Sequence, residues 1–408
     1  MTGQPSRYRI VLIFVLTFLL LGACATPQVQ TRTDLFWPLP PDPPKISYVM
    51  SLTEPKDLGE RKGFFRRAIE FILGKEEPPK LIQPHAIYSD GQGKVYITDT
   101  GLQVVHVFDF EKKTYRQVFK LPFSRLLSPV GVAVDGKGRL YVSDSQINRI
   151  LVFDAKGKFL RVIGQPGDFV RVAGITLSPF NNLLYVVDSG GHKVLAFDLE
   201  GQKKFEFGQR GGGEGYFNFP THIAVDQRGQ VYVSDSLNFR IQVFNPDGQF
   251  VTKFGQVGNT IGTFSKPKGV AVDQEGHIYV VDGLYDTVQV FNEQGELLIH
   301  FGNSGVEEGQ FWLPAGVFAD AKDRIYVADT YNHRVQVFKY LGGPASGLAQ
   351  AVPQALPEHG GRGASEDSAS ERNRSGPTSE VGPGSGGIGG SASGEPHGPP
   401  QINAEENK

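Results

Sequence analysis

Between Asn218 and Phe264 the chain alternates four short apolar runs, rich in Val, Ile, Tyr and Phe, with clusters of Gly, Asp, Asn and Pro. Short runs of β-branched and aromatic residues between turn residues read as strands, whereas a helix needs a longer stripe repeating every 3.6 residues. The same pattern recurs five more times. Its most regular mark is the Asp closing a Tyr-Val-x-Asp-like run, at Asp99, Asp144, Asp188, Asp235, Asp282 and Asp329, spaced 44 to 47 residues apart. A period of roughly 40–50 residues with four strands per unit is the signature of a β-propeller blade. Six copies predict an all-β, six-bladed β-propeller. The blades run from Leu81 to Leu121, Leu127 to Phe169, Val170 to Phe217, Asn218 to Phe264, Ser265 to Phe311 and Trp312 to Tyr340.

The sixth copy stops near Tyr340 after only three strands. Lys45 to Leu52, far upstream, alternates as the outer strands of the blades do. It is predicted to complete the last blade and close the ring, which removes exposed strand edges. The propeller therefore spans 45–340. An insertion at Glu60 to Leu73 reads as a helix: Phe64, Phe65, Ala68, Ile69, Ile72 and Leu73 fall on one stripe, and Arg61, Lys62, Arg66 and Arg67 lie largely off it. Three roles stand open for this helix at 60–73: packing on the propeller, lying on anionic lipid, or docking a partner.

The ends have a different composition. Arg7 and Arg9 precede an apolar run from Ile10 to Leu21, followed by Leu21-Gly22-Ala23-Cys24. A basic start, a short apolar core and small residues describe a secretory signal over 1–23. The segment resembles the bacterial lipobox, which implies a lipid on Cys24, attachment to a membrane, and an address in the cell envelope. Ala25 after the cysteine implies the outer membrane where the source has one. Residues 24–44 are polar and then proline-rich, an extended stalk that at ~3.1 Å per residue reaches up to about 60 Å. The tail, 341–408, has no aromatic residue and is dominated by Gly, Ser, Pro and Glu. It buries too little apolar area to offset ordering entropy and is predicted to be disordered.

Bulk composition narrows the function. Lys+Arg 41 against Asp+Glu 43 gives a net charge of −2, without the basic excess of a nucleic-acid binder. The single cysteine excludes an intrachain disulfide and any Cys-based zinc module.

Chain direction then separates the two faces. Innermost strands begin at Pro129, Pro267 and Pro314 and end at tight turns near Asp135, Asp273 and Asp320. The second strand returns to the starting face, so the loops after each repeated Asp gather there with the long connections between blades. The opposite face carries only tight turns. Long loops around a central channel are where a propeller binds. Candidate residues on that face are His85, Arg149, His192, Lys193, His222, Phe239, Arg240, Lys268, Tyr285, Asp286, Tyr331, His333 and Arg334. Features present in most blades read as architecture: Asp144, Asp235 and Asp329 accept from loop amides, and Arg149, Arg240 and Arg334 pair with an Asp or a carbonyl. The departures from the repeat, His85, His192, His222, Lys268, Phe239, Tyr285, Asp286 and His333, are the residues to inspect first.

The pattern Pro-x-Gly-Val-Ala-Val-Asp, then Tyr-Val-x-Asp, then Asn-x-Arg-Ile/Val-x-Val-Phe, resembles the NHL repeat over about 81–340. Blades two, four, five and six match best. Blade one lacks the Arg, and blade three carries Leu-Ser-Pro-Phe-Asn-Asn in its first turn. The resemblance implies a six-bladed propeller of the type found in extracytoplasmic bacterial lipoproteins. Tripartite-motif relatives bind RNA or protein but carry a Cys/His-rich RING, which one cysteine cannot build. In the amidating lyase three His ligands hold zinc at the channel. Here His85 and His222, from opposite blades and one residue out of register, are weak metal candidates without a third His at a matching strand start. The calcium cluster of lactonase-like propellers is absent from the innermost strands. No catalytic residue and no cofactor is assigned. The expected function is a lipid-anchored scaffold that binds an envelope protein with its long-loop face, without nucleic acid. One alternative is an enzyme or small-molecule or metal-binding propeller using the channel mouth. Another is a carbohydrate-contacting module with Phe239, Tyr285 and Tyr331 as stacking platforms.

Overall fold

A computed structural model describes residues 35–59, 80–122 and 124–342. The described residues form six antiparallel sheets, five of four strands and one of five. The predicted all-β, six-bladed propeller is the fold. The innermost strands are Pro84–Ser89, Pro129–Val134, Val172–Leu177, Pro220–Val225, Pro267–Val272 and Val317–Ala319. Each contacts the innermost strands of both neighbouring blades, so the six surround one axis.

Burial follows position in the blade. Second strands such as Leu184–Asp188 and Val231–Asp235 are buried at every residue, because each lies between two neighbouring blades and has no solvent side. The outer strand Lys203–Phe207 is mostly exposed. The core is a set of aromatic layers between blades. The Phe at or near the end of each third strand is buried, and in blades four to six it meets a Phe from a connection: Phe244 with Phe217 at 5.4 Å, Phe291 with Phe264 at 5.6 Å, Phe338 with Phe311 at 5.8 Å. Burying each such ring contributes about 1.5–3 kcal/mol. The Gly after the outer strand makes room for the ring. At Gly255, with φ +91, a Cβ would lie 2.3 Å from the Phe264 ring.

Ring closure is as expected. A strand β2 (Ile46–Leu52) pairs antiparallel with Arg334–Tyr340, from Ile46 opposite Tyr340 to Leu52 opposite Val335. The structure adds a shorter strand, β1 (Phe36–Trp37), outside β2, from residues read in the sequence as stalk. Its anchor is Trp37, whose ring lies 6.0 Å from Phe301 and 5.7 Å from Phe338. The signal segment, Cys24, the helix expected at 60–73 and the tail beyond Gly342 lie outside the described residues. Among the described residues the helical elements are three short 3-10 turns, Pro55–Leu58, Ser236–Asn238 and Thr330–Asn332. None is long and apolar enough to cross a membrane.

The two faces separate as chain direction requires. Tight turns close one face through Asx hydrogen bonds: Asp135 Oδ1 accepts from the Lys137 and Arg139 amides at 2.9 and 2.8 Å. On the other, the loop after Asp235 meets the connection between blades three and four, with Asn238 Nδ2 donating to Gly211 O at 2.9 Å. In blade six Asn332 donates to Gly305 O at 2.8 Å.

Candidate functional site: the long-loop rim and the channel behind it

The rim is built on the repeated aspartates. Asp235 is fully buried; its Oδ1 accepts from the Asn218 amide at 2.7 Å, and its Oδ2 from Asn238 Nδ2, Arg240 Nε and Gln242 Nε2 at 2.8, 2.8 and 3.0 Å. Asp329 repeats the arrangement with Trp312, Asn332, Arg334 and Gln336. Loop amides beyond the Asp do donate to it, as Ile147 does to Asp144. The carboxylates also reach upstream, to the connection that precedes the blade: Leu127 and Ser128 donate to Asp144, and Ser265 and Lys266 to Asp282. A buried carboxylate holding several donors fixes the loop and the connection as one rigid piece.

This arrangement accounts for most of the sequence-selected residues. The remaining guanidinium nitrogens of Arg240 donate to Gly212 O, Gly213 O and Tyr216 O, and the residue is only 6% exposed. Arg334 donates to Glu307 O and Gln310 O, and Arg149 to Asn148 O. Lys193 pairs with Glu206. His192 Nδ1 lies 3.2 Å from the Phe219 amide, and His333 Nδ1 meets Ile82 O, joining blade six to blade one. Asp286 accepts from Ser304 Oγ and the Leu313 amide, each at 2.7 Å, and burial raises its pKa. Tyr285 donates to Gly258 O at 3.2 Å. Phe239 takes the left-handed conformation, φ 55, and packs against the core between blades four and five. Three structural residues went unnoticed in the sequence: Gln242, Gln289 and Gln336, each binding an amide and a carbonyl of the preceding connection. Their signal was the recurring Gln-Val-Phe of the last three blades.

What the rim presents outward is apolar. Leu237, Leu284 and Tyr331, each two residues beyond the repeated Asp in blades four to six, are 45%, 56% and 46% exposed. Trp312, 49% exposed, has its ring 5.8 Å from that of Tyr331. The equivalent positions in blades one to three are Gly101, Gln146 and Gly190; there the exposed apolar residues are Ile82 and Val170, at the position Trp312 takes in blade six.

At the axis the structure brings three other candidates together. His85 and His222 stack across the channel, centroids 5.5 Å apart and planes 15° from parallel. His85 Nδ1 hydrogen-bonds Val130 O at 2.8 Å, whereas neither buried ring nitrogen of His222 has a partner. Lys268 Nζ donates to Pro314 O at 3.3 Å. Burial holds His85 down to about 4, the charge of Lys268 adding to the Val130-opposed shift, and it places His222 well below the ordinary value. Burial, with the charge of Lys266, brings Lys268 down to about 8. The layer containing His222 is otherwise made of Ala86, Gly131, Gly174, Gly269 and Gly316. The glycines let neighbouring strands close in: a Cβ on Gly316 would lie 2.3 Å from His85 O. On the tight-turn side of this layer is a cavity of about 270 Å³, lined by all six innermost strands.

This geometry does not fit the zinc centre that the amidating-lyase resemblance implies. The lone pairs of two parallel rings lie in parallel planes and do not converge on one ion, and zinc asks for three protein ligands. Among the described residues no group of three or more His, Cys, Asp and Glu side chains is placed to hold a metal ion.

The comparisons with known proteins agree with the fold. A family model described as a 6-bladed beta-propeller matches residues 124–209, and the NHL repeat matches residues 217–244 and 311–338. The chain carries NHL repeats and folds as a six-bladed β-propeller. No curated protein matches it in sequence. Solved structures of similar shape include a protein of unknown function from Bacteroides thetaiotaomicron, with TM-score 0.52, 17% identity, and 65% of this chain and 71% of that one covered. A streptogramin B lyase follows at TM-score 0.50 and 14% identity, covering 64% and 94%. A gluconolactonase from Xanthomonas campestris stands at 0.50 and 16%, covering 64% and 86%. At such identities the likeness is one of fold.

Proposed function

We propose that this protein is a lipid-anchored, extracytoplasmic scaffold that binds a protein of the cell envelope through the long-loop rim of blades four to six. The observation that carries the reading is the exposure of Leu237, Leu284, Trp312 and Tyr331 on the loops and connections of three successive blades, held by buried aspartates. Exposed apolar and aromatic residues on a rigid frame suit protein docking, where a few such side chains supply most of the affinity. The polar groups beside them are engaged within the fold, which leaves the rim with packing surface and few free chemical groups. The lipobox-like segment ending at Cys24 supports membrane attachment and an envelope address.

Capture from detergent-solubilised membranes of the source tests this. Wild type is compared with Leu237→Glu/Leu284→Glu and with Trp312→Ala/Tyr331→Ala, each checked for native circular dichroism. Both variants are expected to lose the same partner. An unchanged set of captured proteins refutes the rim as the docking surface, and a Cys24→Ser protein that stays with the membrane refutes the anchor.

A further inference from the structure

We propose that the axial cavity binds a small organic acid, its apolar aliphatic or aromatic body filling the channel and its carboxylate meeting the His222 imidazole. The walls set the body of the ligand. Ile87, Val132, Ile175, Ile223, Val270 and Val317, one from each innermost strand, form an apolar ring, and Tyr88, Leu177 and Phe318 continue it toward the tight-turn face. The volume sets the size. At about 270 Å³ the cavity lies just under the ~300–1,000 Å³ of ordinary ligand pockets, which suits a small ligand.

The inner end sets the head group. His222 lines the cavity and both its ring nitrogens lack partners, a state that costs about 1–3 kcal/mol when nothing relieves it. The layer of glycines around it offers no side chain to do so. Behind His222 stand His85 and Lys268, and among the described residues no carboxylate forms an ion pair with any of the three. Lys268 instead donates to a carbonyl. Lys268 carries the positive charge of this end, balanced in part by the charges of Asp286 and Asp282, and the unpartnered His222 imidazole supplies the donor that a carboxylate would take. Besides His222 the walls offer two polar side chains, Thr176 and the Tyr88 phenol, and the other lining side chains are apolar, which favours a hydrocarbon body over a sugar or a phosphate. The cavity reaches Pro179, in the first turn of blade three, so the ligand enters from the tight-turn face. The proposal is therefore independent of the rim.

Benzoate is the probe, titrated calorimetrically into the full purified protein against benzyl alcohol and inorganic phosphate. Benzoate is expected to bind roughly tenfold or more tightly than the alcohol, since a charged acceptor is missing from the latter. Because a carboxylate favours the protonated imidazole, binding is expected to take up a fraction of a proton near pH 6, seen by comparing buffers of different ionisation enthalpy. Ala224→Phe, which fills the cavity, and His222→Leu are each expected to abolish binding. Where His222→Leu fails to fold, Ala224→Phe and the His222 imidazole resonances on titration decide. Equal affinity for acid and alcohol, binding retained in Ala224→Phe, or competition by phosphate at equal concentration overturns the proposal.

Discussion

Acidification tests the stacked pair directly. In the unfolded chain His85 titrates at its ordinary 6.5, whereas in the fold burial, reinforced by the charge of Lys268, holds it at about 4. Above pH 6.5 the ring is neutral in both states and contributes no pH dependence. Between 6.5 and 4 the unfolded chain takes up a proton that the fold refuses, so stability falls with pH. Below 4 both states are charged and the loss levels off. Integrated from pH 7 to pH 4.5, the depressed value predicts a loss of about 2 kcal/mol from this residue. His222 is displaced in the same direction, so it deepens the loss. Carboxylates held low by their partners, Asp99, Asp135 and Glu206 among them, also lose stabilisation on acidification. The comparison must therefore be between proteins that share them. Urea unfolding of wild type and His85→Asn, followed by tryptophan fluorescence at pH 7 and pH 4.5, isolates the histidine. Asparagine keeps a donor for Val130 O and cannot titrate. The variant is expected to lose about 2 kcal/mol less than wild type over this interval. Parallel losses in the two proteins refute the buried, neutral assignment of His85.

Two further outcomes follow from other parts of the fold. At His277 burial opposes the charge, but the hydrogen bond and charge of Asp273, 2.9 Å away, prevail and raise the pKa. Its stabilisation is complete below 6.5 and is lost as pH rises through the folded value, so His277→Gln is expected to flatten the thermal-melting profile between pH 6 and 8; an unaltered profile refutes the pair. Gly316→Ala is expected to cost about 1–3 kcal/mol in urea unfolding, because the added Cβ meets His85 O, and an unchanged midpoint refutes the close approach of blades six and one.

The repeat made the blades and the placement of the loops legible, because each blade restates the same strand and turn signals and chain direction is enough to assign a face. Packing around a bend was less legible. Phe239 looked like a docking aromatic because it follows Asn238 in an exposed loop. Its left-handed backbone instead accompanies a ring turned toward the core, and the outward residue is Leu237, two positions earlier. The links from Asp235 and Gln242 to the upstream connection were hidden for a different reason. They join residues 17 and 27 positions apart, and no local period records such distances. Phe36 and Trp37 were too short a run to show alternation, although Trp37 anchors the closing blade.

The axial histidines were legible as residues but not as a pair. Their one-residue offset in register weakens a metal site, which needs lone pairs meeting at a point. The same offset places one ring above the other, which is what stacking needs. A disagreement in register thus excludes one chemistry and supplies the geometry of another. The glycines at the His222 level belong to the same explanation. They bring the innermost strands close enough for rings from opposite blades to meet, and they leave His222 without a neighbour to bond.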